Sequence, residues 1–97
     1  MLIRGFDWDD VNLAKLEAHD LGPEEVEDLF ESGGPYVFRH PTNTRRHIAL
    51  GFAPVERFVL VVFEHDEQTH WVRVVTAYEP SNEGWWKEYA KATGRKR

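Results

Sequence analysis

Residues 57–64 read RFVLVVFE and residues 69–78 read THWVRVVTAY, and these two stretches decide the fold. Both are rich in β-branched and aromatic residues, which favour β-strands. The first stretch is almost continuously apolar, so we predict a central strand that is covered on both faces. The short connection at residues 64–68 forces antiparallel pairing, so the two strands form a hairpin.

Two further strands are predicted on the N-terminal side of this hairpin. Residues 46–52 (RHIALGF) and residues 36–39 (YVFR) have the same strand-favouring composition. Residues 53–56 (APVE) join the strand at 46–52 to the central strand, and so short a connection again requires antiparallel pairing. The sequence therefore predicts a four-stranded antiparallel sheet.

Two helices are predicted before the sheet. The first is capped by Asp9 or Asp10 and runs to about residue 19. The second begins at Pro23, because proline is favoured in the first helical turn. Residues 2–6 form either a short first strand or an extended lead-in.

A third helix is predicted after the sheet. Pro80 and Ser81 open it, and Gly94 ends it. The predicted fold class is α+β, with two N-terminal helices, a four-stranded antiparallel sheet and a C-terminal helix. The basic tail, residues 95–97, is expected to fray.

Length and composition limit the class of protein. The chain has 97 residues, which corresponds to a single domain over residues 1–97. It has no cysteine, which excludes disulfides, thiol catalysis and cysteine-bound zinc. No apolar run approaches the roughly 18 residues of a membrane span, and residues 1–10 lack a signal-peptide core. We predict a cytoplasmic protein without a membrane partner.

Charge is distributed unevenly along the chain. The formal net charge of −5 argues against nucleic-acid binding driven by bulk charge. Residues 1–31 carry ten acids and two basic residues, a net of −8, whereas residues 32–97 carry seven acids and ten basic residues, a net of +3. A basic partner suits the first part and an anion suits the second. Solvated acid-rich helices explain the asymmetry equally well.

Basic residues cluster around two of the predicted strands. Arg39, Arg45, Arg46 and His47 lie near the strands at 36–39 and 46–52, and Arg73 interrupts the apolar run WVRVV. An arginine in such a run either pairs with a carboxylate or points into a cleft that receives an anion. Structural ion pairing is the favoured alternative. Arginines that converge on one sheet face would suit the phosphates of RNA.

Two tryptophans are candidates for stacking on a nucleic-acid base. Trp71 or Trp86 could provide such a platform, although packing in the core is the favoured interpretation of each. A separate hypothesis is a metal site at His65 and His70, which flank a turn that contains two acids. A solvated turn is the favoured interpretation there.

Several segments, taken in order, resemble those of a known family. They are residues 6–9 (FDWD) with 12–19, residues 23–30 (PEEVEDLF), residues 46–51 (RHIALG), residues 59–63 (VLVVF), residues 73–77 (RVVTA) and Tyr89. In this combination the chain resembles the BrnT family, the small ribonuclease toxins of type II toxin–antitoxin modules, whose fold is related to the RelE group. The resemblance covers nearly the whole chain.

The resemblance implies a metal-independent endoribonuclease that cleaves cellular RNA without a cofactor. It also implies a partner, a BrnA-like antitoxin with a ribbon-helix-helix DNA-binding part, and a complex that represses its own operon. A homodimer is a further alternative that the sequence leaves open. The competing hypothesis is a non-catalytic, BrnT-like protein-binding module that has lost nuclease activity.

The resemblance also implies roles for individual residues. Arg73 and Arg46 are expected to stabilise the phosphate, and His47 and His19 to transfer protons. Tyr78 or Tyr89 is expected to position the substrate. The residues expected to bind it, which the charge and stacking arguments above already single out, are Arg39, Arg45, Trp71 and Trp86.

Three departures from the family pattern remove positive charge. Tyr78 stands where the family has a second arginine, and residues 18–20 (AHD) replace a Lys-His-Gly segment. Residues 83–86 (EGWW) replace a basic start of the last helix. These departures indicate either a weakened nuclease or a family member that has kept the fold and lost the chemistry.

Overall fold

The computed structural model describes residues 1–94, which form five strands and three helices. The elements in chain order are β1 (Gly5–Phe6), α1 (Asp10–Ala18), α2 (Pro23–Ser32), β2 (Tyr36–Arg39), β3 (His47–Ala53), β4 (Arg57–His65), β5 (Trp71–Tyr78) and α3 (Glu83–Thr93), with a 3-10 turn at Pro54–Glu56 between β3 and β4. The prediction for the basic tail, residues 95–97, lies outside the described residues.

The strands form one mixed sheet in the order β1-β5-β4-β3-β2, which confirms β4 as the central strand. The pairs β2–β3, β3–β4 and β4–β5 are antiparallel, as predicted. The predicted four-stranded antiparallel sheet is wrong in one respect, because β1 adds a fifth strand that is parallel to β5. A strand of two residues is too short to show an alternating pattern, and its partner lies at the far end of the chain.

Helices cover both faces of the sheet. On one face, α1 and α2 bury Leu16, Val26 and Leu29 against side chains of β3, β4 and β5. On the other face, α3 buries Tyr89 against β3 and β4, among residues that include Leu50. The covering of both faces explains why β4 is almost continuously apolar. The α+β class is confirmed.

The helix boundaries follow from side-chain caps. Asp9 caps α1, because its Oδ1 accepts a hydrogen bond from the Asn12 amide at 2.9 Å. Helix α3 begins at Glu83, not at Pro80 as predicted, because the Asn82 side chain accepts from the Gly84 amide at 2.7 Å. None of the helices within residues 1–94 is both long and apolar enough to cross a lipid bilayer.

Strand β5 begins two residues later than predicted. The Asp66 carboxylate accepts hydrogen bonds from the amides of Gln68 and Thr69, at 2.8 and 3.1 Å, and so folds the start of the predicted strand into the turn. His70 follows with a φ of 64° and returns the chain to extended geometry at Trp71.

Candidate functional site

An open groove of about 640 Å³ lies at the end of the sheet where β2 and β4 end and β3 and β5 begin. We call this end of the sheet the groove end. Five predicted site residues line the groove, namely Arg39, Arg45, His47, Trp71 and Arg73. The ionisable side chains that share it are Asp7, Glu64, His65, Asp66 and Glu67.

The register of the sheet brings these residues together. Arg39 of β2 pairs with His47 of β3, which in turn pairs with Phe63 of β4. Glu64, the next residue of β4, pairs with Arg73 of β5. Directly paired residues share a face of the sheet, and successive residues of a strand alternate between faces. Arg39 and His47 therefore lie on the α1–α2 face with Phe63, whereas Glu64 and Arg73 lie on the opposite face. The two pairs share the groove because it lies at the end of the sheet.

The loop between β2 and β3 is organised by a histidine. The Nδ1 atom of His40 accepts hydrogen bonds from the backbone amides of Thr42 and Asn43, at 3.2 and 3.1 Å. The Asn43 side chain then accepts from the Arg45 amide at 3.1 Å. This turn chemistry fixes the backbone at Arg45 and leaves its side chain exposed at the mouth of the groove.

Arg46 lies beside the groove, and its side chain has a distant ion-pair partner, Glu64. Its Nε atom is 3.8 Å from Glu64 Oε2, which is an ion-pair distance but too long for a hydrogen bond. The same Nε is buried and has no hydrogen-bond partner. The guanidinium of Arg46 therefore lies next to the groove with an N–H donor, at Nε, that has no acceptor within residues 1–94.

Arg73 forms ion pairs with two carboxylates. Its Nη2 atom is 2.8 Å from Asp9 Oδ2, and its Nη1 atom is 3.9 Å from Asp7 Oδ2. The pKa of Asp9 is lowered, chiefly by the hydrogen bond from the Asn12 amide and also by Arg73, while desolvation opposes the shift. The Arg73 side chain is still 49% exposed, so one side of the guanidinium faces the groove and solvent.

His47 combines a packed ring with an unsatisfied nitrogen. The ring stacks on Phe63 with centroids 5.5 Å apart, and its Nδ1 atom is buried without a hydrogen-bond partner. Burial lowers the pKa of His47 below the usual 6.5 of histidine, and Arg39 and His65 act in the same direction, whereas Glu67 opposes them. The imidazole is therefore neutral near pH 7 and can accept a proton.

Trp71 is supported from beneath by a glycine. The two residues pair across β1 and β5, and a Cβ atom on Gly5 would lie only 3.0 Å from the indole ring. The absence of a side chain at Gly5 therefore lets the indole lie against the backbone. Trp71 is 48% exposed and presents its other side to the surroundings.

Four predicted site residues lie away from the groove. His19 and Tyr78 contact each other, with ring centroids 5.7 Å apart, at the opposite end of β5. Tyr89 is 1% exposed, and its hydroxyl donates to the Gly34 carbonyl at 2.8 Å. Trp86, a residue of α3, packs edge-to-face on Phe52 and Phe58 of the sheet.

Sequence reasoning did not assign His65 to a nucleic-acid site. Its Nε2 atom lies 2.8 Å from the Leu2 carbonyl, and its ring is 5.8 Å from that of His70. Because His47 pairs with Phe63, His65 is a diagonal neighbour of His47 on the same face of the sheet. The short β3–β4 connection fixes the register of these two strands, so this neighbourhood could have been inferred from the sequence. Within residues 1–94, no three His, Asp or Glu side chains form a group that could hold a metal ion.

The fold and the groove together define a class: a small α+β protein with an open, charged groove at one end of a mixed sheet. No protein-family model and no curated protein matches the chain.

Proposed function

We propose that the protein is a BrnT-like endoribonuclease toxin and that the groove is its RNA site. In this proposal it cleaves cellular RNA in the cytoplasm without a metal ion, and a ribbon-helix-helix antitoxin neutralises it. The proposal rests on one observation: three arginines, a histidine with a lowered pKa and an exposed tryptophan line the same groove.

The arginines suit a phosphodiester. A guanidinium binds two phosphate oxygens through parallel N–H bonds, and Arg39, Arg45 and Arg73 come from three different segments of the groove wall. Such convergence can surround the extra negative charge that forms on a pentacoordinate phosphorus. Trp71 offers a half-exposed indole on which a base can stack.

The proposed reaction is an internal transesterification. The ribose 2′-oxygen attacks the adjacent phosphorus, the bond from phosphorus to the 5′-oxygen breaks, and a 2′,3′-cyclic phosphate and a 5′-hydroxyl result. His47 accepts the proton of the 2′-hydroxyl, because its lowered pKa keeps it neutral. His65, the second histidine of the groove, supplies a proton to the departing 5′-oxygen when it is in its protonated form.

The alternative of a non-catalytic protein-binding module is favoured by a different observation. Four carboxylates line the same groove, namely Asp7, Glu64, Asp66 and Glu67. They outnumber the three arginines, and a groove with both signs of charge is as well suited to a polar protein surface as to RNA.

A cleavage assay separates the two functions. Purified protein is incubated with structured and unstructured RNA in EDTA, and the products are examined for 2′,3′-cyclic phosphate ends. We expect cleavage that falls about a hundredfold or more in His47→Ala and in Arg73→Ala. Arg4→Ala, which removes an exposed arginine outside the groove, is the matched control and should cleave normally. Full activity of His47→Ala would exclude the mechanism.

The same variants can be compared in cells. Induced expression of the wild type should arrest bacterial growth with loss of RNA, whereas Arg73→Ala at equal protein level should not. Unimpaired growth with both proteins, together with no cleavage in vitro, would favour the protein-binding module.

A further inference from the structure

Two carboxylates contact the guanidinium of Arg73, the group that the proposed function assigns to a phosphate. Asp7 and Asp9 lie in the segment between β1 and α1, and both reach the guanidinium through their Oδ2 atoms. Carboxylate and phosphate oxygens bind the same guanidinium N–H groups, so the two kinds of anion compete for Arg73.

The ion pairs are exchangeable. The side chains of Arg73, Asp7 and Asp9 are 49%, 64% and 37% exposed, so water and ions reach all three. Exposed pairs of this kind are weak, and a phosphate in the groove can displace the carboxylates.

We propose that the carboxylates of Asp7 and Asp9 compete with RNA for Arg73, and we call this pair of carboxylates the anion brake. They bind Arg73 in the RNA-free groove and weaken RNA binding until a phosphate displaces them. The inference rests on the proposed RNA site and adds a regulatory contact to it. Neither aspartate takes part in the chemistry; each acts through the position and the availability of Arg73.

Asp9 has two separate contacts, one for each oxygen. Its Oδ1 atom caps α1 by accepting from the Asn12 amide at 2.9 Å, and its Oδ2 atom contacts Arg73 at 2.8 Å. Asn12 in turn donates to the Asp7 carbonyl through its side chain, at 3.1 Å. The brake can therefore release Arg73 while the helix cap and the β1–α1 connection stay in place.

This division of contacts allows a clean substitution. Asparagine is as good a helix cap as aspartate, so Asp9→Asn keeps an oxygen for the Asn12 amide and replaces the other with an NH₂ group that cannot accept from Arg73. Asp7→Asn changes no cap, because only the backbone carbonyl of Asp7 contacts Asn12. The double variant Asp7→Asn/Asp9→Asn should fold normally, and Asp7→Asn alone tests the brake if it does not.

The experiment measures binding of a short single-stranded RNA of mixed sequence at low ionic strength. We expect the double variant to bind about three- to tenfold more tightly than the wild type. The matched control is Asp10→Asn/Glu17→Gln, which removes the same charge from α1 at two residues that form no ion pair within residues 1–94. The control should change affinity less than about twofold.

A second comparison repeats both double variants in an Arg73→Gln background. The gain from Asp7→Asn/Asp9→Asn should disappear there, because the brake acts through Arg73. A gain in RNA affinity that persists in the Arg73→Gln background, or that merely equals the gain of the control variant, would contradict the proposed role of Asp7 and Asp9. If Arg73→Gln alone leaves RNA affinity unchanged, the proposed RNA site is itself wrong, so the two failures are distinguishable.

Discussion

The two ends of the sheet satisfy their polar groups differently. At the end opposite the groove, which we call the closed end, the Phe52 amide donates to the Gly33 carbonyl at 2.9 Å and the Tyr89 hydroxyl donates to the Gly34 carbonyl at 2.8 Å. At the groove end lie all of the buried side-chain nitrogens that lack a hydrogen-bond partner within residues 1–94. They are Arg46 Nε, His47 Nδ1 and His70 Nδ1.

The difference separates stability from function. A buried polar atom without a partner costs about 1–3 kcal/mol, so three of them at one end mark a region that is not optimised for stability. Proteins generally tolerate such groups where a ligand will later satisfy them. The closed end satisfies its polar groups within the fold, whereas the groove end leaves three buried nitrogens without a hydrogen-bond partner among the described residues.

Two arginines illustrate the same contrast. At the closed end, Arg57 contacts Glu79 at 2.8 Å, Glu25 at 3.0 Å and the Asp20 carbonyl at 2.9 Å. Glu79 raises the pKa of Arg57 most, and the Arg57 side chain is only 22% exposed. Arg73 at the groove end is more than twice as exposed, and its partners approach from one segment only. Arg57 is a structural cation, whereas Arg73 is available to a ligand.

The largest effect is expected from Gly33→Ala at the closed end. A Cβ atom at Gly33 would collide with the Phe52 carbonyl oxygen and lie 2.6 Å from the Leu29 carbonyl oxygen. Both neighbours are backbone atoms and cannot move aside, so we expect a loss of about 3 kcal/mol in the free energy of unfolding, measured with urea. Gly94→Ala is the comparison, because nothing lies within 4 Å of its Cβ position and its cost, about 1 kcal/mol, comes only from its φ of 70°. Equal effects of the two variants would contradict the close approach at Gly33.

A smaller loss is expected from Tyr89→Phe, which removes only the hydroxyl that donates to Gly34. Loss of this hydrogen bond to the carbonyl of Gly34, an exposed residue, should cost about 0.5–1.5 kcal/mol of stability. RNA cleavage below the melting temperature should be unchanged, since Tyr89 is on the buried face of α3 and does not line the groove. A variant that is fully folded but inactive would return Tyr89 to the substrate-positioning role that the resemblance implies.

Most of the fold could be predicted from the sequence because its strongest signals are local. The apolar run of β4, the short connections on either side of it and the proline at the start of α2 each act within a few residues. A short first strand was one of two alternatives for residues 2–6, but its parallel pairing with β5 could not be predicted, because the partner lies near the other end of the chain. The start of β5 depended on the Asp66 carboxylate, which no hydrophobic pattern reveals.

The candidate site was predictable to the extent that strand register determined it. Arg39, His47 and Arg73 lie near the ends of strands whose antiparallel order follows from short connections, so their presence at one end of the sheet could be expected. The contact of Arg73 with Asp9 could not, since it depends on where β1 leaves the sheet. The resemblance supplied Tyr89 from its position in sequence, which carries no information on which face of the sheet it covers.

A third prediction tests the unsatisfied histidine. His47→Phe keeps a ring to stack on Phe63 and removes the Nδ1 atom that lacks a partner. We expect a gain of about 1 kcal/mol in stability at neutral pH together with loss of RNA cleavage. A loss of stability would show that the groove end is as well satisfied as the closed end.

The pH dependence of the same variant sharpens the result. Burial lowers the pKa of His47 below 6.5 in the folded state, so the unfolded chain takes up a proton first as the pH falls. The wild type therefore loses stability as the pH falls from about 7 through the lowered pKa, and His47→Phe should lose less over that range. Urea unfolding at a series of pH values measures the difference. Parallel curves for the two proteins would mean that His47 titrates normally.

The smallest effect is expected from Val55→Asn, which tests whether the closed end carries strain of its own. Val55, at the tip of the β3–β4 connection, is 93% exposed and has a φ of 65°, a conformation that β-branched residues strongly disfavour. Asparagine adopts it readily, and no buried contact is lost, so we expect a gain of about 0.5–1 kcal/mol without any change in RNA cleavage. Val11→Asn, at an exposed position of α1 with helical geometry, is the control and should not stabilise the protein. A gain from Val55→Asn alone would mean that the closed end is strained in its backbone although its polar groups are satisfied.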